Sequence, residues 1–115
     1  MIDDQKYVRA DCVIRPAEKT DGMDYVIIRS SDAGCFAGSL KAKNGNEVEL
    51  VNARRLWYWK GAASLSQLAM EGVTKPNDCK FPPIVDNITV LGVCEIIHAT
   101  EKAKTSISGV KIWRA

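Results

Sequence analysis

Apolar and polar positions alternate along most of this chain in short runs of strand character, interrupted by two stretches of helical spacing. Tyr25-Val26-Ile27-Ile28-Arg29-Ser30 is rich in β-branched residues and predicts a strand. Residues 31–34 read as a turn and 35–42 as a second strand. Asn44-Gly45 is a strong hairpin signal, since both residue types tolerate positive φ, and Glu47-Val48-Glu49-Leu50-Val51 alternates as a half-exposed strand does. After Asn52, the aromatic run 53–60 predicts another strand. Ser64-x-x-Gln67 is a capping box ahead of Leu65, Leu68 and Ala69, and Gly72 is a natural helix stop. Residues 74–83 hold three prolines and read as loop. Residues 87–99 read as one long strand or a bent pair broken near Gly92. Thr100 caps a short helix with Ala103 and Ile107 facing inward, and 110–113 alternate like a final strand. Cys12-Val13-Ile14 reads as a short strand stopped by Pro16. The expected class is α+β, mainly β: a small antiparallel sheet, curled or closed into a barrel, with one or two short helices. Residues 1–24 read as a variable N-terminal extension and 25–115 as a single ligand-binding, β-rich domain.

Composition narrows the function classes. With 115 residues there is room for one domain; 46% hydrophobic and 26% charged residues are the balance of an ordinary globular protein. No apolar run approaches the roughly 20 residues of a membrane helix, and the polar, acidic start does not resemble a signal peptide. A cytoplasmic location without membrane contact is therefore expected. The net charge of +2, with Asp3, Asp4, Asp11, Asp21 and Asp24 offsetting the basic residues, argues against a nucleic-acid polymer as partner. Cys12, Cys35, Cys79 and Cys94 form no CxxC pair, so neither a metal nor another cofactor is expected; Cys35 and Cys94 sit in apolar contexts and read as core. His98, the one histidine, reads as a structural strand-end residue. No nucleophile elbow, phosphate loop or dinucleotide fingerprint is present, which favours a binding protein over an enzyme.

The chemistry concentrates in Asn52-Ala53-Arg54-Arg55-Leu56-Trp57-Tyr58-Trp59-Lys60-Gly61-Ala62-Ala63-Ser64. In an extended chain Arg55, Trp57 and Trp59 share one face, and Arg54, Leu56, Tyr58 and Lys60 the other. Indole rings stack on bases at roughly 1–3 kcal/mol each, and guanidinium groups pair with phosphate. A helix start behind Lys60-Gly61 adds backbone N–H donors for an anion. That set suits a nucleotide. The same residues also fit an ordinary packing role: the tryptophans as core, the arginines as edge charges or partners of Glu47 and Glu49, Ser64 as a cap, Arg29 as surface.

The run from Tyr25 to Ile107 resembles a family of small bacteriophage proteins. The matching features are Tyr25-Val26-x-x-Arg29, Ala33-Gly34, Gly38-x-Leu40, Asn52-Ala53-Arg54-Arg55-x-Trp57-x-Trp59-Lys60-Gly61-Ala62, the Leu65 helix, Glu95-Ile96-Ile97 and the helix holding Lys104. The resemblance implies a phage anti-defence protein of the anti-CBASS type, a sponge that binds a cyclic oligonucleotide alarm signal, such as cGAMP or a trinucleotide, without cleaving it. It carries the binding role to Arg29, Arg54, Arg55, Trp57, Trp59, Lys60 and Ser64, implies no catalytic residue, and fits a homo-oligomer with its pocket near a subunit interface. A small nucleic-acid-binding β-barrel, and a non-catalytic virion or host-takeover protein, are the alternatives; a phosphodiesterase is the enzymatic one.

Overall fold

The structure, a computed structural model, describes residues 14–115. Five strands run in the chain order β1 (Tyr25–Ser30), β2 (Gly34–Asn44), β3 (Glu47–Arg55), β4 (Val85–Val90) and β5 (Val93–His98). Two helices, α1 (Leu65–Glu71) and α2 (Glu101–Ser108), follow β3 and β5. All pairings are antiparallel, in the spatial order β4-β3-β2-β1-β5. The expected mainly-β, curled antiparallel class is the one observed, as an open sheet.

The curl follows from connectivity. The edge strands β4 and β5 lie at opposite ends of the sheet, yet only Leu91 and Gly92 separate them in sequence. The sheet must therefore bend until its two edges meet at that end. Ser30 fastens the junction: its hydroxyl donates to the Leu91 carbonyl at 2.8 Å and accepts from the Ala33 N–H at 3.2 Å. The Val93 N–H donates to the Asn46 carbonyl at 2.8 Å, tying in the β2–β3 turn.

Two cores result. Inside the curl, Val26, Ile28, Phe36, Val48, Leu50 and Val90 are buried, with Leu40, Ile88 and Ile96 beside them. All of these stand on strands, so the sheet buries this face against itself. Each large side chain contributes about 1.5–3 kcal/mol by leaving water. On the outer face, Ile27 and Ala37 meet Leu56, Leu68, Ala69, Phe81 and Ile107, which come from the helices and the segments around them. The helices meet where the Thr100 hydroxyl donates to the Met70 carbonyl at 2.7 Å and the Ser106 hydroxyl accepts from the Val73 N–H at 2.9 Å.

The sequence expectations are corrected in several places. Residues 47–55 form one strand, with Asn52 (φ 53°) as a bulge inside it rather than a break, and the strand stops at Arg55 instead of running to Lys60. The hairpin turn residues are Gly45 and Asn46, one position later than expected, with Asn44 and Glu47 paired. Residues 87–99 resolve into β4 and β5, which pair with β3 and β1 rather than with each other. The final strand reduces to one bridge between Phe81 and Ile112. Cys94 is exposed, its thiol donating to the Arg29 carbonyl at 3.3 Å, whereas Cys35 is half-buried against the outer core. The strand expected at residues 12–14 lies outside the described residues except for Ile14, which is exposed.

Candidate functional site

The bulge at Asn52 decides where the arginines point. A single inserted residue moves every following side chain to the other face of the sheet. Gly38 stands opposite, where a Cβ would lie 3.0 Å from the Ala53 Cα, so glycine accommodates the close approach of the two strands without displacing the bulge. Past the bulge Ala53 turns inward, Arg54 outward into the helical layer, and Arg55 inward beside its cross-strand partner Phe36.

The two arginines consequently do different work. Arg54 is only 4% exposed. It donates to the Ile107 carbonyl at the end of α2 at 2.8 Å and to the Phe81 carbonyl at 3.4 Å, with its guanidinium 5.3 Å from the Phe81 ring centre. Burial pushes its pKa down. Arg55 remains exposed, 4.4 Å over the Phe36 ring, and donates to the Ala33 carbonyl at 2.7 Å. Neither is the partner of Glu49, which engages Lys41 at 3.6 Å and Asn87 at 2.9 Å.

Beyond Arg55 the strict alternation is lost, so Arg55, Trp57 and Trp59 do not share a face. Leu56 is buried and Trp59 packs against the outer core, while Trp57 and Tyr58 stand in solvent, Trp57 at 64% exposure. Arg29 lies on the outer face, opposite in the sheet to Arg55, its Nε donating to Glu95 Oε1 at 2.9 Å. The carboxylate beside it raises the guanidinium pKa. Lys60 is exposed, and its backbone N–H donates to Cys79 Sγ at 3.4 Å.

The expected phosphate cradle ahead of α1 is filled by the chain itself. Ser64 accepts from the Gln67 N–H at 3.1 Å, and Gln67 Oε1 accepts from the Ala63 N–H at 2.7 Å. Gly61 (φ 90°) meets residues 74 and 75 so closely that a Cβ would lie 2.5 Å from the Thr74 nitrogen. Glycine is there for backbone packing, and Ser64 acts as a helix cap.

A different constellation forms beside it. Tyr58 and Lys80 exchange backbone hydrogen bonds at 3.2 and 2.7 Å, and the Trp113 N–H donates to the Phe81 carbonyl at 2.9 Å. Three non-adjacent segments are thereby aligned. The Lys80 ammonium lies over two rings, 5.8 Å from the centre of Tyr58 and 5.6 Å from that of Trp113, and both aromatics are 44% exposed. A ring–cation–ring surface open to solvent offers stacking faces and a phosphate counter-charge in one place. Tyr58, Lys80 and Trp113 were missed by sequence reasoning because no periodic pattern links them. The only signal was the clustering of aromatic and basic residues around 58, 80 and 113.

Among the described residues, no helix is long and apolar enough to cross a membrane. No curated protein and no solved structure matches the chain. A family model, a domain of unknown function called DUF6948, matches residues 23–107, which take in all five strands, α1, α2 up to Ile107 and the Tyr58–Lys80 pairing. The chain is therefore a member of the DUF6948 family.

Proposed function

We propose that this protein is a non-catalytic binder of a base-bearing phosphodiester, and that its ligand is a cyclic oligonucleotide signal captured in the host cytoplasm as part of phage anti-defence. The observation that carries the reading is the solvent-open cluster in which Lys80 lies over the rings of Tyr58 and Trp113, with Trp57 exposed one residue before Tyr58 in the sequence. The resemblance noted from the sequence supplies the class of ligand. In this reading a ring face receives a base, and the Lys80 ammonium neutralises the neighbouring phosphate.

Energetics shape the proposal. Sequestration needs nanomolar binding, about −12 kcal/mol. Two stacked bases contribute at most about 6 kcal/mol between them. A single open platform falls well short, so the second wall of the site comes from a second copy of the chain, in keeping with the symmetric oligomers that small proteins form.

The openness of the platform favours one other reading, a single-stranded nucleic acid laid across it. Such binding is steeply salt-dependent, because each phosphate contact releases counterions. Calorimetry against a panel of cyclic di- and trinucleotides, beside a short oligothymidylate at two salt concentrations, separates the two. Tight, weakly salt-dependent binding of one cyclic compound, lost at least about tenfold in Lys80→Ala or Trp57→Ala, is the expected result. Salt-steep binding of the oligothymidylate alone would replace the first reading with the second. No binding of either kind would overturn both.

A further inference from the structure

The outer layer holds a second feature that shares no residue with the aromatic platform. A cavity of about 170 Å³ opens between the sheet and α2, lined by the polar residues Thr20, Tyr25, Ser39, Asn52, Arg54, Lys104 and Ser108 and by the apolar Ile84. The charged side chains in this lining are both cations, Arg54 and Lys104. The remaining polar groups are hydroxyls and one amide, all able to donate a hydrogen bond.

Among the described residues no carboxylate forms an ion pair with either cation. Arg54 is almost fully buried, its two terminal nitrogens donate only to backbone carbonyls, and its Nε has no hydrogen-bond partner among the described residues. Lys104 donates to the Glu18 carbonyl at 3.0 Å and to Thr20 Oγ1 at 3.2 Å, and its ammonium sits 5.6 Å from the Tyr25 ring centre. Those partners are neutral. Glu101, the acidic residue one turn earlier on α2, commits its carboxylate to the Glu18 N–H and the Thr105 hydroxyl. A buried guanidinium and a half-buried ammonium lining one cavity, with no carboxylate among the described lining residues, are costly unless an anion compensates them.

We propose that this cavity binds a small tetrahedral oxyanion: phosphate, or the terminal phosphoryl group of a larger molecule whose body stays outside. Size favours this class. The space exceeds what one ordered water needs, but falls below the roughly 300 Å³ at which pockets begin to enclose an organic ligand. The donors match as well: guanidinium and ammonium groups are the usual phosphate partners, and hydroxyls complete the shell. Burial pushes the Tyr25 hydroxyl up to about 12, so it is protonated and available as a donor at neutral pH. The bulge that turns Arg54 outward also places Asn52 at the rim, so one backbone irregularity supplies two of the lining residues.

The test is a titration of the full chain with inorganic phosphate at constant ionic strength, chloride making up the balance, read by calorimetry and by the unfolding temperature. Saturable binding is expected, with a rise in unfolding temperature that chloride does not give. Lys104→Met, whose fold is checked by its unfolding temperature in chloride, weakens phosphate binding about tenfold, and Lys104→Arg retains it. Adenosine monophosphate forms the second arm. Binding tighter than phosphate assigns the site to the phosphoryl end of a larger molecule, and equal binding assigns it to the free anion. No saturable phosphate effect in the unaltered chain, or the same affinity in Lys104→Met, overturns the proposal. Lys80→Ala leaves this site intact, so failure here and failure of the aromatic platform are told apart.

Discussion

Arg54 and Arg55 are neighbours in sequence and opposites in structure. The first is enclosed in the layer between the sheet and α2, where its hydrogen bonds hold the end of a helix and the Phe81 segment together. The second lies in solvent over an aromatic ring at the rim of the curl. The two cores they border differ in the same way. The inner core is built from apolar strand residues alone, so its stability comes from area removed from water. The outer layer joins helices and loops that no ladder connects, and it relies on polar side chains such as Arg54, Thr100 and Ser106 to join them. Continuous backbone pairing lets a core be purely apolar, whereas irregular segments leave carbonyls and amides that side chains must satisfy.

That contrast can be tested from its strongest point downward. Phe36→Ala opens a void in the inner core and is expected to cost about 4 kcal/mol in urea unfolding. Arg54→Met keeps the bulk but leaves the Ile107 and Phe81 carbonyls without their donor, with an expected cost of about 3 kcal/mol. A neutral effect of Arg54→Met would mean that the outer layer is held by apolar contact as well. The third measurement follows stability with pH. Desolvation of the half-buried Tyr25 pushes its hydroxyl pKa up to about 12 in the folded chain, against an ordinary value of 10. The neutral form is thus favoured by folding. Its contribution is complete below pH 10 and is lost as the pH rises towards 12, and Tyr25→Phe should remove that part of the decline. Arg55→Ala gives the smallest change, below about 1 kcal/mol, because an exposed cation over a ring gains little.

Much of this architecture was legible where the determining interactions are local. The β-branched run Tyr25–Ser30 forms the strand its composition predicts. Ser64 and Thr100 cap their helices as short-range chemistry dictates, and Gly72 ends α1 with φ at 78°. Legibility fails where a distant partner decides. Asn52 read as a break between two strands, because nothing local shows that Gly38 leaves room for a bulge there. Alternation from Ala53 to Arg55 puts Arg54 and Arg55 on opposite faces as expected, but the strand stops at Arg55, and the faces expected for Trp57 and Trp59 depended on its continuing. Tyr58, Lys80 and Trp113 meet through single bridges between loops, a kind of pairing that carries no periodic signature. The seven site residues were chosen for their chemical type, and the structure distributes them among a buried clasp, a helix cap, an ion pair, a core contact at Trp59 and exposed positions.

The two-residue link at Leu91–Gly92 also has a consequence for how the chain reaches its native state. The meander of β1, β2 and β3 is complete by residue 55, but one edge waits for β4 and the other for β5. During synthesis both edges of the young sheet stand unpaired until residues 85–98 emerge, and the tight link then delivers their two partners together. Because the link ties the two strands, pulse-labelled amide exchange is expected to show β4 and β5 acquiring protection at the same moment.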